Sequence, residues 1–341
     1  MMEGPFHGSA LAAPLPVVGR LAPSPTGLLH LGHAFSLLVA WWQARSSNGR
    51  VILRLDDIDA ERAKSRFSEQ IIFDLRWLGI DWDDAPVIAS ERRMDHQRAA
   101  NQLLEQKNAY PCVCSRRDVL RALGAPHQGD QELRYPETCR GRFSTLEEAE
   151  TQCPDGVCLR FLCPPGIRRV KDLVFGWYEE DVAELVGDFV IQRRALGPAY
   201  QLSVVVDDHM DGVTHVVRGR DLLPSTLRQN LLAEALGVNV PDYLHVPLIC
   251  DPQGRRLAKR DNDLSLSTLR EIGVSPEMIA TWAARCAGQP ALERPLSAAE
   301  LAERFDEQRL RTHDVLLPDD PLRALELTMP IKHMDQSQQR H

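Results

Sequence analysis

Arg20-Leu21-Ala22-Pro23-Ser24-Pro25-Thr26-Gly27-Leu28-Leu29-His30-Leu31-Gly32-His33 reads as a strand, a loop and a helix start. Residues 17–21 form a short apolar run of the kind that fills a buried parallel strand. Pro23, Pro25 and Gly27 end it, because proline fixes φ and glycine permits turns. From Leu31 to Ala44 the apolar residues cover a helical face, which sets a helix start at or just before Gly32. A helix N-terminus behind a parallel strand offers free N–H groups and the positive end of the dipole, a setting that suits phosphate. His30 and His33 stand at that position.

Outward from this stretch, strands and helices alternate, which predicts an α/β fold with a parallel sheet. Val51 to Leu55 is the next strand, followed by the acidic turn Asp56-Asp57-Ile58-Asp59. Ser68 to Leu78 and Glu91 to Lys107 read as helices. From Tyr110 the periodicity weakens and cysteine, proline and glycine become frequent, so 110–187 is expected to be an insertion. A strand resumes at Asp188 to Gln192. The run Tyr200 to His209 fits either a buried helix or a strand. Val213 to Val217 is expected as a strand, and Ser225 to Leu236 as a helix stopped by Gly237. Leu244 to Cys250 is expected as a strand, Asp251 to Gly254 as a turn and Leu266 to Cys286 as a helix broken at Gly273–Pro276. Ser297 to Leu310 is expected as a helix. The resulting division is a loose tail over 1–16, half-domains over 17–109 and 188–250, a basic loop with its support over 251–290 and a helical tail over 291–341.

The chain has 341 residues and a net charge of −8, unlike a general nucleic-acid coat. An RNA partner must therefore meet a local basic face, for which Arg116-Arg117, Arg168-Arg169-Lys171, Arg193-Arg194 and Arg255-Arg256 with Lys259-Arg260 are the candidates. The first sixteen residues have neither the basic start nor the apolar core of a secretory signal. The run Phe35 to Trp42 is too short to span a bilayer. A cytoplasmic monomer with no membrane partner is expected, its cysteines serving as thiols or metal ligands rather than disulfides.

The string from Arg20 to His33 resembles the HIGH-type signature of class I aminoacyl-tRNA synthetases, and its leading Arg-x-Ala-Pro-Ser-Pro-x-Gly resembles the glutamyl branch. Arg255-Arg256-Leu257-Ala258-Lys259-Arg260 is similar to the KMSKS loop of the same class, with Arg256 for the first lysine and Ala258 for the serine. The resemblance implies a Rossmann-type parallel sheet. It also implies that His30, Gly32, His33 and Lys259 bind ATP with Mg2+, with His30, His33 and Lys259 acting in catalysis. Such catalysis needs positioning and neutralisation of phosphates more than covalent help.

An acidic amino acid calls for fixed positive charge, and arginine grips a carboxylate by two hydrogen bonds. By resemblance, glutamate meets Arg20, Ala22, Ser24, Tyr200 and Arg218. In Arg54-Leu55-Asp56-Asp57, Asp56 stands where the family usually has the glutamate that meets the substrate ammonium. Its side chain is one methylene shorter, a gap that a bridging water can fill.

Cys112-x-Cys114 with Cys139 supplies three thiols at a spacing that can close around tetrahedral zinc. Cys153, Cys158 and Cys163 compete for the fourth place by chemistry. The resemblance points instead to Tyr135, because shortened glutamyl homologues carry a Cys-x-Cys…Tyr-x-x-x-Cys set for one structural zinc.

Only 81 residues follow Arg260, too few for the helical anticodon-binding region of a full glutamyl enzyme. The chain therefore resembles the truncated paralogues of the glutamyl branch, and that resemblance implies activation of glutamate without tRNA and esterification of queuosine in the anticodon of tRNA(Asp). Three alternatives stand beside it: a minimal enzyme charging a tRNA 3′ end, activation for a non-tRNA acceptor and an inactive RNA-binding module.

Overall fold

The computed structural model describes residues 16–59, 62–122, 134–194, 197–257, 264–290, 292–326 and 331–334. Strand β1 (Val18–Leu21) leads through the Pro/Gly loop to helix α1 (Leu31–Ser46), then β2 (Arg50–Leu55), α2 (Ser65–Trp77), β3 (Val87–Ile88) and α3 (Arg93–Glu105). β1, β2 and β3 pair in that order, all parallel. The turn from α1 to β2 requires a glycine. A Cβ on Gly49 would lie 2.6 Å from the Val17 carbonyl and 2.9 Å from that of Ala44, closer than packed atoms permit.

The second half follows the insertion: α7 (Tyr200–Met210), β10 (His215–Gly219), α8 (Leu223–Leu236) and β11 (Asp242–Val246). β10 pairs parallel with β11. β1 lies beside β10, with the Thr214 N–H donating to Val18 O at 2.9 Å and the Val18 N–H to Thr214 Oγ1 at 2.8 Å. Side chains alternate across these strands as their period dictates. Val216 and Tyr243 enter one apolar core with α3, α7 and α8, while Val217, Leu244 and Val246 enter the other with α1 and α10 (Pro276–Ala287). α1 is buried almost all round between sheet and α10, which explains its unbroken apolar run from Leu37 to Trp42.

The insertion carries β4 (Ala109–Cys112), α4 (Arg116–Ala122), α5 (Leu146–Gln152), β5 (Cys158–Phe161), β6 (Arg168–Asp172), β7 (Gly176–Glu180), α6 (Val182–Leu185), β8 (Val190–Arg193) and β9 (Gly197–Pro198). β4, β5, β8 and β9 form an antiparallel sheet. The strand expected at 188–192 to resume the parallel sheet is β8, and it pairs with β5 instead. Its hydrogen-bonding partners, not its apolar run, decide its sheet. β6 and β7 form a hairpin whose β6 joins the edge of β11 through Tyr243 and Asp172.

The region Tyr200–His209 is a helix. As a helix it puts Asp207 and Asp211 on one face beside Arg92, and Asp208 beside Arg54. The strand expected over 244–250 is two strands in different sheets, β11 and β12 (Ile249–Cys250), parted at Pro247, which has no N–H to donate. β12 pairs with β13 (Val315–Leu316), which pairs with β14 (Lys332–His333). The break at 273–276 separates α9 (Leu266–Glu271) from α10 as expected. The expected helix 297–310 is shorter: α11 covers Ala298–Ala302, and a single 3-10 turn covers Glu307–Arg309. The Ser297 N-cap with Glu300 starts it. Beyond Ala302 the segment leaves the helix with a buried Leu310, so its apolar spacing reflects core contact and not a continued helix.

Candidate active site

The helix start at α1 is built from its own two histidines. The Gly32 N–H donates to His30 Nδ1 at 3.2 Å, and the His30 N–H donates to His33 Nδ1 at 3.3 Å. The pair acts as a capping box, with imidazoles where a hydroxyl and a carboxylate usually stand. The two rings lie 3.8 Å apart. With both Nδ1 atoms accepting, each neutral ring carries its proton on Nε2, the arrangement needed to donate to a phosphate oxygen. Gly32 allows this fold-back, because a Cβ there would meet the His30 ring at 3.1 Å. His30, Gly32 and His33 line a small recess together with Gly219, Ile249 and Arg256.

His33, Gly219 and Arg256 also border a cleft of about 720 Å³ at the carboxyl ends of β1, β2 and β10. Ligands bind at this end of parallel sheets. Arg20, Ala22, Ser24, Asp56, Tyr200 and Arg218 all line it, so residues far apart in sequence are brought together. Of the basic patches, Arg193 and Arg256 line the cleft. Arg168 pairs with Glu234, Arg169 stacks on Trp177 and Arg255 pairs with Asp251.

Arg20 is buried and donates from Nη1 to Val217 O at 2.9 Å, with Asp208 at 3.6 Å from its Nε. Burial pulls its pKa down against the attraction of Asp208. Arg218 donates from Nε to His245 and from Nη2 to Thr226, while its buried Nη1 has no partner among the described residues. Asp56 follows directly from β2, and its N–H donates to Pro23 O at 3.1 Å. Burial raises its pKa against the attraction of Arg54, so desolvation outweighs the nearby cation. Arg20, Arg218 and Asp56 thus face a single cleft, whose lining also carries Arg54, Arg62, Arg193, Arg256, Asp59 and Asp221. Arginines outnumber aspartates in it, a balance that suits a ligand carrying more negative than positive charge.

An ion network runs inward from Arg54, which lines the cleft. Arg54 is buried and donates to Asp208 at 2.7 Å and to Asp211 at 2.8 Å. Arg92 meets Asp207 and Asp211, and His96 Nε2 lies 2.9 Å from Asp207. Burial acts to lower the Arg54 pKa, but the attraction of Asp208, Asp207 and Asp211 outweighs it, and the guanidinium is held above its usual range. Arg54, Asp208, Asp172, His245 and Thr226 carry no role in the sequence reading. The available signal was their polarity within apolar surroundings: Asp207-Asp208 follows a valine run, and His245 lies between Leu244 and Val246.

Lys259 lies outside the described residues. The nearest described segments, ending at Leu257 and beginning at Leu264, are held at the helix start. Leu257 N–H donates to Ile249 O at 3.1 Å and Arg256 pairs with Asp221. On the other side, Ser265 bridges His30, and the Leu266 N–H donates to Leu29 O at 2.8 Å.

In the insertion, the Sγ atoms of Cys112, Cys114 and Cys139 lie within 4.8 Å of one another. Tyr135 Oη is 3.3 Å from Cys112 Sγ and 3.5 Å from Cys114 Sγ. Donors around tetrahedral zinc stand about 3.8 Å apart, given bonds of about 2.3 Å, so the four side chains fit such an ion. Cys158 bonds to the Cys112 carbonyl and Cys163 sits by Asp188, so neither joins the group. The Cys158 thiol and the Arg160 guanidinium hold the Cys112 thiol below its usual range, favouring the thiolate that metals bind.

Comparison with known proteins matches these features to one group. The family model for class I tRNA synthetases (E and Q), catalytic domain, matches residues 16–316. A glutamyl-Q tRNA(Asp) synthetase of Rhodopirellula baltica is 43% identical over 321 residues, spanning 89% of this chain and 97% of that protein. Its counterpart in Nitratidesulfovibrio vulgaris is 41% identical over 317 residues, spanning 90% and 97%. A glutamate–tRNA ligase of Synechococcus is 41% identical over 269 residues, but only 56% of that protein is spanned. The structure of a glutamate-tRNA synthetase from Elizabethkingia anophelis superposes with a TM-score of 0.78 at 27% identity, covering 91% of this chain and 70% of that one. The chain is therefore a ligase that belongs to the class I tRNA synthetases of the glutamate and glutamine type, in the glutamyl-Q tRNA(Asp) synthetase family.

Proposed function

We propose that the protein activates L-glutamate with ATP, without needing tRNA, and then transfers it to the queuosine of tRNA(Asp). The observation that carries the activation step is the convergence of Arg20, Ser24, Asp56, Tyr200 and Arg218 on one cleft that opens onto the His30/His33 helix start.

In this reading Arg20 and Arg218 hold the side-chain carboxylate and Asp56 faces the ammonium. Ala22 and Ser24 form the wall, and Tyr200 closes the mouth. The α-carboxylate of glutamate attacks the α-phosphorus of ATP, and the bond to the β-phosphate oxygen breaks to release pyrophosphate. His30 and His33 donate to the phosphates, Gly32 allows close approach, and Lys259 meets the charge that builds on the leaving group. ATP enters as its Mg2+ complex, which neutralises phosphate charge. A hydroxyl of the cyclopentene diol then attacks the glutamyl carbonyl, giving the ester and AMP. The arginines are held by protein groups before any RNA arrives, which supports activation of glutamate in its absence.

The acceptor rests on similarity spanning nearly the full length of glutamyl-Q tRNA(Asp) synthetases. RNA loops present splayed bases that one domain can grip. Cys112, Cys114, Tyr135 and Cys139 would hold one zinc whose part is to fix the fold of the insertion.

The test has two stages. Pyrophosphate exchange without RNA is expected with glutamate, and far less with aspartate or glutamine; no exchange rejects tRNA independence. Labelled glutamate is then offered to tRNA(Asp) from cells with and without queuosine, followed by nuclease digestion. Label on the anticodon nucleoside of the queuosine-containing tRNA alone is expected. Equal labelling of both at the terminal adenosine would favour the minimal 3′-end enzyme.

A further inference from the structure

We propose that Asp172 and His245 are positioning residues that aim Arg218 at the side-chain carboxylate of the amino acid; this rests on the glutamate reading above. Arg218 and His245 are register partners across β10 and β11, and Tyr243 and Asp172 are partners across β11 and β6. Asp172 Oδ2 lies 2.6 Å from His245 Nδ1 and also accepts the His245 backbone N–H at 3.0 Å. A carboxylate only accepts, so Nδ1 carries the ring proton. Nε2 is left with its lone pair, and Arg218 Nε donates to it at 3.0 Å.

A guanidinium has no acceptor to offer, so this contact exists only while the imidazole is neutral. Asp172 and His245 are both fully buried. Burial, against the pull of Asp172 and with the repulsion of Arg218 and Arg20, pushes the His245 pKa down. Thr226 accepts from Arg218 Nη2 at 2.8 Å, and the Tyr243 ring lies 5.3 Å beneath the guanidinium. These contacts commit Nε and Nη2. Nη1, buried and without a partner among the described residues, belongs to a side chain that lines the cleft.

The choice of imidazole has a physical reason. A carboxylate at position 245 would fix Arg218 equally well but would compensate its charge before a ligand arrived. A neutral acceptor fixes the geometry and leaves the positive charge for the substrate. Asp172, one step removed, fixes the tautomer, as a buried carboxylate does behind a catalytic histidine.

The test uses the full-length chain with His245→Gln, His245→Asn, His245→Leu and Asp172→Asn, read by pyrophosphate exchange and thermal melting. Glutamine can place its amide oxygen where Nε2 was, whereas asparagine reaches only the Nδ1 position. His245→Gln is expected to keep the glutamate KM within about threefold, and His245→Asn and His245→Leu to raise it about tenfold or more, as befits a lost hydrogen bond to a charged group. The ATP KM should stay within about twofold throughout. Asp172→Asn should raise the glutamate KM too, because its amide can donate to Nδ1 and turn an N–H of the ring toward Arg218. Equal glutamate KM in all three His245 variants overturns the inference. So does a parallel rise of glutamate and ATP KM, or loss of fold in all three, either of which marks a purely structural pair. If Asp172→Asn alone fails to fold, the order of Gln against Asn at 245 still decides. An inactive wild type would strike the glutamate reading itself.

Discussion

Arg54 on β2, which lines the cleft, and Asp208 on α7 meet at 2.7 Å across 154 positions of sequence. Their contact, with Asp211 and Arg92 beside it, fastens the first half of the sheet to the helix that opens with Tyr200. Removing one partner of such a pair leaves a buried charge uncompensated, at a cost of roughly 3–5 kcal/mol. Arg54→Met should therefore lower the urea midpoint markedly, and Arg54→Met with Asp208→Leu should recover part of it. A shift below about 1 kcal/mol in the single variant would show that the network holds little.

The proposed contact of Asp56 with glutamate would tie substrate affinity to pH. Burial raises its carboxyl above the ordinary 3.8. The folded protein therefore takes up this proton at a higher pH than the unfolded chain. The ionised form costs stability above the folded pKa, and that cost fades as pH falls through it. The proposed contact with the substrate ammonium needs the ionised form. Acidification from neutral should thus raise the glutamate KM before ordinary carboxylates titrate. Asp56→Asn should raise KM strongly at every pH, remove the acid limb and stabilise the empty protein at neutral pH, while Asp56→Glu should retain activity. KM-against-pH profiles of the three proteins decide it; an unchanged Asp56→Asn profile means that the shorter side chain does not reach the ligand.

Two of the four cations in the second signature, Arg256 and Lys259, should separate. Arg256 is paired with Asp221, whereas Lys259 follows the family's main catalytic lysine. Lys259→Ala is expected to cut kcat for adenylate formation by about 10²-fold or more, with the glutamate KM little changed. Arg256→Ala should cost much less. Equal losses would mean that the roles within the loop are misassigned.

One zinc per chain is expected in purified protein by elemental analysis. Cys139→Ser should abolish it and lower thermal stability, since structural zinc contributes folding energy directly. Tyr135→Phe should weaken retention under a chelator. Full retention in that variant would point to a thiol such as Cys158 as the fourth ligand.

Much of this was legible in the sequence because the signals are local. Pro23, Pro25, Gly27 and Gly32 act through their own backbone, and Gly237 ends α8 at φ 70° as expected. The convergence of Arg20, Asp56, Tyr200 and Arg218 followed from resemblance, not from periodicity. What escaped depended on distant partners. β8 is an ordinary apolar strand whose sheet is chosen by β5. The run after Ala302 keeps helical spacing yet lies against other core residues without being a helix. His245 gains its meaning only when Asp172, 73 positions away, arrives on the neighbouring strand.

The seam between β1 and β10 bears on how the chain is made. Val18 waits for Thr214, and Arg20 for Val217, 197 positions later. A ribosome adding roughly 5–20 residues per second takes about 10–40 s to supply that partner. Through that interval β1 is an open, apolar strand edge of the kind that recruits other chains. The expensive moment in this protein's life is therefore the wait for residue 217. Substitutions that weaken the β10 edge should show first as lost yield during synthesis, before any change in the finished protein.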